Sequence, residues 1–574
     1  MKILQLFLGI ILLFSQIFAQ DIHYTITANQ GNSHILSIEM KASASQNEFI
    51  DFRIPSWRPG RYVMQNFARN VIKFEAFNES NTALEFKKTD KDTWRVQTGS
   101  SQSVTARYDY YANEFDAGNT YLNDREIYLN PITCLMYIPG RELEPVDLFI
   151  ENKMQWPVAS ALDYDAHTGI FSAPDYHELA DNPIVISNDL SRIEFSVGSH
   201  PLEIILLGDY WYDSQKIVTD FKHIVEQSSA IFNDIPFKKY VFFFHLVNYR
   251  SGHGVEHKNS TSIVTGPTDF HDTKFYREFL GVTTHEFFHL WNVERIRPAA
   301  LWHPDYATEN YSETIWFFEG VTSYYTPLIL RQAELLTPDK FLKETASAIN
   351  QYNKNYGRKV TSAAQSSFES WTHAFGNTPP NSQLTFYLNG KMIGLGLDLE
   401  IRHRTENKKS LDDVMRYLWD NYGKKEIGMP EQAIQEAVEK ISASSFDDFF
   451  KDYVNGTKSL DFVHFLKYAG IEVQRDLKKD SSHVYTGLNL AGDKTQTTIR
   501  NVLPHSPAWD AGLDIGDILI AIDGRHVYKD NFSRYLQRFQ PGDSLHFSVI
   551  RNEYLRVFTL VLQPPPTEMQ TIKL

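Results

Sequence analysis

His285-Glu286-Phe287-Phe288-His289, read together with Glu319 in Trp316-Phe317-Phe318-Glu319-Gly320, decides the fold. Residues four apart on a helix share a face, so both imidazoles reach one ion. Glu286 sits one step round the same turn, where it can act on a water at that ion. A zinc ion that does chemistry takes three protein ligands and keeps one position open; two histidines and a later carboxylate make that set. The pentapeptide alone arises by chance in many helices, so its surroundings carry the weight. Phe279, Leu280 and Val282 before it and Leu290-Trp291 after it read as a helix buried beside a cleft, with Pro298 as a stop signal after Arg295 and Arg297. Glu313 to Leu330 reads as a second apolar helical stretch. A glutamate among Trp316, Phe317, Phe318, Tyr324 and Tyr325 is costly to bury without a partner, and a metal is a good partner. The residue types describe a zinc hydrolase, with His285, His289 and Glu319 on one zinc ion per chain and Glu286 as general base. A second electrophile for the carbonyl oxygen is sought among Tyr311, Tyr324, Tyr325 and Tyr387.

HEFFHLWNVERIRP (285–298) with WFFEGVTSYY (316–325) resembles the glycyl aminopeptidase family of gluzincin metallopeptidases. Three further segments agree. IPSWRPGRYVMQNFARN (54–70) is similar to the Pro-x-Trp-x-Pro-Gly-x-Tyr signature of that family's N-terminal domain, GHGVEHKNST (252–261) to its Gly-Gly-x-Glu-His segment, and FYLNGKMIGLGLDLEIR (386–402) to its Tyr-Tyr-x-x-Gly helix. The resemblance implies the zinc ligands and the base named above. It also implies that Glu256 grips a substrate's free α-amine, with Gly254 and His257 beside it, and it favours Tyr387 over Tyr324 and Tyr325 for the oxyanion; an ordinary core aromatic is the other reading of Tyr387. The chain departs from the pattern at His253, where a second glycine is usual, and at Asn389, where a lysine often stands. His253 and His257 are four apart, but Gly252 and Gly254 make this a strand end or loop rather than a second metal pair.

The implied activity is a zinc-dependent aminopeptidase that removes N-terminal glycine or alanine from peptides. Two alternatives stand beside it: a zinc endopeptidase, and a non-catalytic peptide-binding scaffold with a structural zinc. An intact Glu286 counts against the scaffold, because a structural site has no need of a base.

Near the C-terminus, Asn501 to Gly524 resembles the PDZ domains of bacterial proteases. Ser506-Pro507 begins a short helix, Gly512 ends it, and Gly516-Asp517 turns into a strand closed at Asp523-Gly524. Such domains bind a peptide by adding a strand at an exposed edge, with backbone amides holding its C-terminal carboxylate. Gly487-Leu488-Asn489-Leu490 is the candidate carboxylate loop. A module that only packs on the rest of the chain is the alternative.

The order of elements predicts a multidomain α+β chain. Residues 1–19 read as a signal peptide, with Lys2, an apolar run from Leu6 to Phe18 and a cut near Ala19. Residues 20–190 read as an N-terminal β-sandwich, on alternating segments such as 23–27 and 104–108, and 193–197 just beyond alternates in the same way. Residues 191–475 read as a thermolysin-like catalytic domain with a helical lobe, and 476–574 as a PDZ β-barrel-like domain. A 574-residue chain that is 42% apolar has ample core for several domains. The net charge of −15 disfavours nucleic acid and anionic membranes as partners, and the apolar run is too short for a stable membrane anchor. Cys134 is the one cysteine, so no internal disulfide forms. A periplasmic or secreted protein acting on peptides is the expectation.

Overall fold

The computed structural model describes residues 22–28, 31–44, 48–374, 378–475, 484–567 and 571–574. The signal-peptide reading lies outside the described residues, as do parts of the expected domain junctions. The chain forms two compact units.

The first unit opens with a β-rich domain. Strands Ile22–Ala28 and Ile35–Ser43 pair antiparallel and alternate, so that Ile22, Tyr24, Ile26, Leu36, Ile38, Met40 and Ala42 all point inward. They belong to a seven-stranded sheet that shares one core with a three-stranded sheet carrying Ile50, Phe52, Trp94 and Val96. A four-stranded sheet adds Ile127 and Ile184 to the same core. Two inner faces closed on one core make the expected sandwich.

A five-stranded sheet follows in the order Leu190–Val197, His200–Leu207, Tyr240–Leu246, Ser260–Gly266, Ser251–Glu256. Its three inner strands run parallel and its two edge strands antiparallel. Tyr240–Leu246 is buried at every residue, which is why it reads as an unbroken apolar run rather than an alternation. The helix Ser214–Phe232 stands where the sequence places it.

The helix that carries His285 starts at Thr273, with the Asp272 side chain accepting from the Lys274 amide, and ends at Phe288. Its end corrects the expectation of a helix running to Pro298. In the turns that follow, Val293 has φ +129°, a conformation that strains a β-branched residue by about 1–3 kcal/mol.

The second unit is helical and then β. A π-helical turn, Trp316–Val321, leads into the helix Thr322–Gln332. The helices Pro338–Lys354, Leu411–Asn421 and Ala433–Ser442 are grouped with a central one, Phe386–Arg404. That central helix meets the π-turn backbone to backbone: a Cβ on Gly390 would lie 2.0 Å from the Trp316 carbonyl oxygen. The C-terminal part holds a five-stranded antiparallel sheet over a core of Ile499, Leu519, Ile522, Phe547 and Val549. The short helix Pro507–Asp510, capped by Ser506, sits where the sequence requires it.

The glycine contact sets a prediction. Gly390→Ala gains about 1 kcal/mol of helix propensity but loses about 3 kcal/mol to overlap, a net loss of about 2 kcal/mol. Urea unfolding followed by circular dichroism would show it; a midpoint at or above the wild-type value would overturn the packing argument.

Candidate metal centre

Among the described residues one group is suited to a metal ion: His285, His289 and Glu319, whose ligand atoms all lie within 4.8 Å of one another. His289 and Glu319 are buried, and His285 is half-buried. The two Nε2 atoms face each other at 3.2 Å. Two nitrogens on one tetrahedral zinc ion, each at its usual bond length, stand about 3.3 Å apart. His289 Nδ1 meets the Asn292 carbonyl oxygen at 2.7 Å, which turns Nε2 toward the shared point. The Val293 kink aims that carbonyl back at the ring, and the Glu294 amide reaches the His289 carbonyl at 3.0 Å. A donor set of two imidazoles and one carboxylate fits zinc.

Glu286 is buried, and its carboxylate lies against the edge strand Ser251–Glu256. A Cβ on Gly254 would stand 2.3 Å from Glu286 Oε1, so the strand approaches this closely only because position 254 has no side chain. Glu256 lies two residues further along the strand, on the same face as Gly254. Its carboxylate meets a turn from the β-rich domain: a Cβ on Gly60 would lie 2.9 Å from both Oε1 and Oε2. That turn, Arg58-Pro59-Gly60-Arg61, closes with the Arg61 amide donating to the Arg58 carbonyl at 3.3 Å. Proline and then glycine, with Gly60 at φ +77°, are the central residues of a type II turn.

The other residues singled out in the sequence fall in several places. His257 is buried, with Nδ1 3.2 Å from Asp181 Oδ1. His253 is half-buried on the opposite face of the strand from Gly254. Burial pushes both imidazoles down to about 4, so both are neutral at neutral pH. Of the four candidate tyrosines, Tyr324 donates to Asp398 at 2.8 Å and Tyr325 to Asp412 at 2.8 Å. Burial, with those carboxylates beside them, raises both phenols well above the ordinary range. Tyr311 is exposed and stacked on Phe368. Tyr387 is half-buried at the start of the central helix, one turn before Gly390.

In the C-terminal sheet, Gly487 is buried, and its carbonyl accepts from the Leu503 amide at 2.9 Å. Leu488 and Asn489 open the outermost strand, opposite Val502 and Asn501, while Leu490 points into the core. Asp181 lies in no sequence motif, and Asn292 and Val293 stand within the 285–298 stretch with no role legible in the sequence; all three act by holding others in place. The sequence reading quoted Arg58 and Gly60 within a signature without giving either a role.

Three family models match the chain: the Peptidase M61 N-terminal domain over residues 23–188, M61 glycyl aminopeptidase over 278–393, and a PDZ domain over 498–551. Among curated proteins none matches. Among solved structures, an aminopeptidase N family protein from Idiomarina loihiensis is similar at 26% identity, with a TM-score of 0.88, over 96% of this chain and 98% of that one. An M1 zinc metallopeptidase from Deinococcus radiodurans aligns at 12% identity and a TM-score of 0.48, over 77% and 95% of the two chains. Leukotriene A4 hydrolase from Saccharomyces cerevisiae aligns at 13% and 0.44, over 78% and 67%. The latter two are too distant to bear on the reading.

The contact at Gly254 yields a direct test. Gly254→Ala should displace the Glu286 carboxylate by about 1 Å and lower turnover of peptide substrates about a hundredfold. Metal content measured by atomic absorption should stay at the wild-type level. Unchanged turnover would show that Glu286 has no need of its present position.

Proposed function

We propose that this chain, a metallopeptidase carrying the M61 N-terminal, M61 glycyl aminopeptidase and PDZ domains, is a zinc aminopeptidase that removes small N-terminal residues, glycine or alanine, from peptides. The observation that carries the proposal is the meeting of two features. The His285, His289 and Glu319 ligand atoms converge, and Glu286 lies against the edge strand that ends in Glu256.

His285, His289 and Glu319 would hold one zinc ion per chain, which when bound brings a water into the range where it loses a proton near neutral pH. The remaining work falls to side chains. Glu286, held against Gly254, takes the proton of the attacking water and passes it to the leaving amine. Glu256 accepts the substrate's α-ammonium, with the Gly60 turn packed on its carboxylate and Gly254 and His257 flanking it. Tyr387 donates to the developing oxyanion. The hydroxyls of Tyr324 and Tyr325 are committed to carboxylates, and Tyr311 is exposed, which leaves Tyr387.

The chain divides on this reading into a signal peptide to residue 19, a β-sandwich at 20–190, the peptidase domain at 191–475 and the PDZ domain at 476–574. The signal peptide makes it periplasmic or secreted. No helix among the described residues is long and apolar enough to cross a membrane. Gly487 to Leu490 would receive the C-terminal carboxylate of a peptide that adds to the outermost PDZ strand.

The test is hydrolysis of glycyl- and alanyl-arylamides and matched N-acetylated peptides by wild type, Glu286→Gln and Glu256→Gln, each with its zinc content determined. Wild type should cleave only the free-amine substrates. Glu286→Gln should keep its zinc and lose about a thousandfold or more in kcat. Glu256→Gln should weaken the free-amine substrates selectively. Cleavage of the blocked peptides by wild type would make the protein an endopeptidase.

A further inference from the structure

Arg58 is buried to 3% exposure, yet among the described residues its side chain makes one hydrogen bond, a local one from Nη1 to the Pro59 carbonyl oxygen, and its Nε has no partner. Arg295, a second buried guanidinium, shows how such a group is ordinarily satisfied. It donates to the carbonyls of Lys258, Leu290 and Pro236 and to Asn259 Oδ1. A buried guanidinium needs several acceptors, and among the described residues Arg58 has one.

The neighbouring carboxylate does not fill the gap. Asp116 already accepts from the Gly118 amide at 2.8 Å, from Asn119 at 2.9 Å and from Arg61 at 3.2 Å. Burial lowers the pKa of Arg58, and the charges of Asp116 and then Glu256 oppose that fall. Glu256 lies under the same turn, with Gly60 packed on its carboxylate two residues after Arg58. His253 adds a neutral imidazole to the group, at a position where the resembling family places glycine.

Charge decides what the gap is suited to. Arg58 and Arg61 against Asp116 and Glu256 sum to zero. A ligand that brings only an ammonium leaves the group at plus one; a ligand that brings an ammonium and a carboxylate restores neutrality. We propose that Arg58 receives the side-chain carboxylate of an N-terminal aspartate whose α-amine is held by Glu256, so that the enzyme takes aspartyl peptides beside those with small neutral residues. The proposal rests on the aminopeptidase reading and on Glu256 as the amine site.

Aspartyl- and asparaginyl-arylamides form the test, because they differ in charge and hardly in shape, with alanyl-arylamide as the reference. Wild type should favour aspartyl over asparaginyl by about tenfold or more in kcat/KM. Arg58→Met should collapse that ratio to about one, and Arg58→Lys should keep part of it. Asparaginyl turned over as fast as aspartyl by wild type, or a ratio that survives in Arg58→Met, would overturn the proposal. Should Arg58→Met fail to fold, the inhibition constants of aspartic acid α-amide and asparagine α-amide on wild type decide in its place. Equal constants refute the proposal, and tighter binding of the aspartic acid amide supports it. Absence of alanyl and glycyl turnover would overturn the aminopeptidase reading and this proposal with it. Alanyl turnover without the aspartyl preference overturns this proposal alone.

Discussion

The site depends on a helix that comes close to a strand. Glu286 can be held over the edge strand only because its carboxylate fills the space a side chain would take at Gly254. A carboxylate pressed on backbone has few rotamers open to it, which is what a base needs if it is to meet one water in one geometry. The same edge strand carries Glu256 two residues on, so a single straight segment sets the spacing between the two carboxylates. A loop in that place would leave the spacing to chance.

The histidine end solves a related problem by strain. A helix continued past Phe288 would leave His289 free to turn, because nothing in a regular helix reaches the ring from its own backbone. The chain leaves the helix after Phe288, and the turns that follow, with Val293 at φ +129°, bring the Asn292 carbonyl round to Nδ1. The β-branched residue in a forbidden region is the cost, and the oriented imidazole is the return. In the second unit Gly320 and Gly390 let the π-turn that carries Glu319 lie flat on the central helix. π-Turns favour functional positions because the extra residue swings one side chain out of the helical rows.

Much of this was legible in the sequence. The grouping of His285, His289 and Glu319 reads from the sequence, since four residues make about one helical turn and a glutamate among aromatics asks for a partner. The strands and the helix Ser214–Phe232 follow from the pattern of apolar residues, and the PDZ sheet from the resemblance of Asn501 to Gly524 to PDZ domains. The helix end did not read correctly, because Pro298 is a strong stop signal and Val293 is none at all. Among the tyrosines the sequence favours Tyr387 only by resemblance, and it does not show what engages the others. Tyr324 and Tyr325 are set aside by Asp398 and Asp412, more than seventy positions away in the chain, and only folding brings them together. Asp181 on His257 escaped for the same cause.

The β-rich domain reads from sequence as a separate module, and the turn at Arg58 to Arg61 shows why that reading is incomplete. A type II turn needs only proline and glycine, so a module could present this one with any residues at its two outer positions. Here both are arginine, and one of them is buried without the acceptors that satisfy Arg295 in the same unit. Stability alone does not favour such an arrangement, because an apolar side chain at position 58 would avoid the desolvation that Arg58 suffers. A buried charge at the point where the turn meets Glu256 is accounted for if it serves what the strand binds, and on the proposed reading the N-terminal domain is then part of the site rather than a support for it.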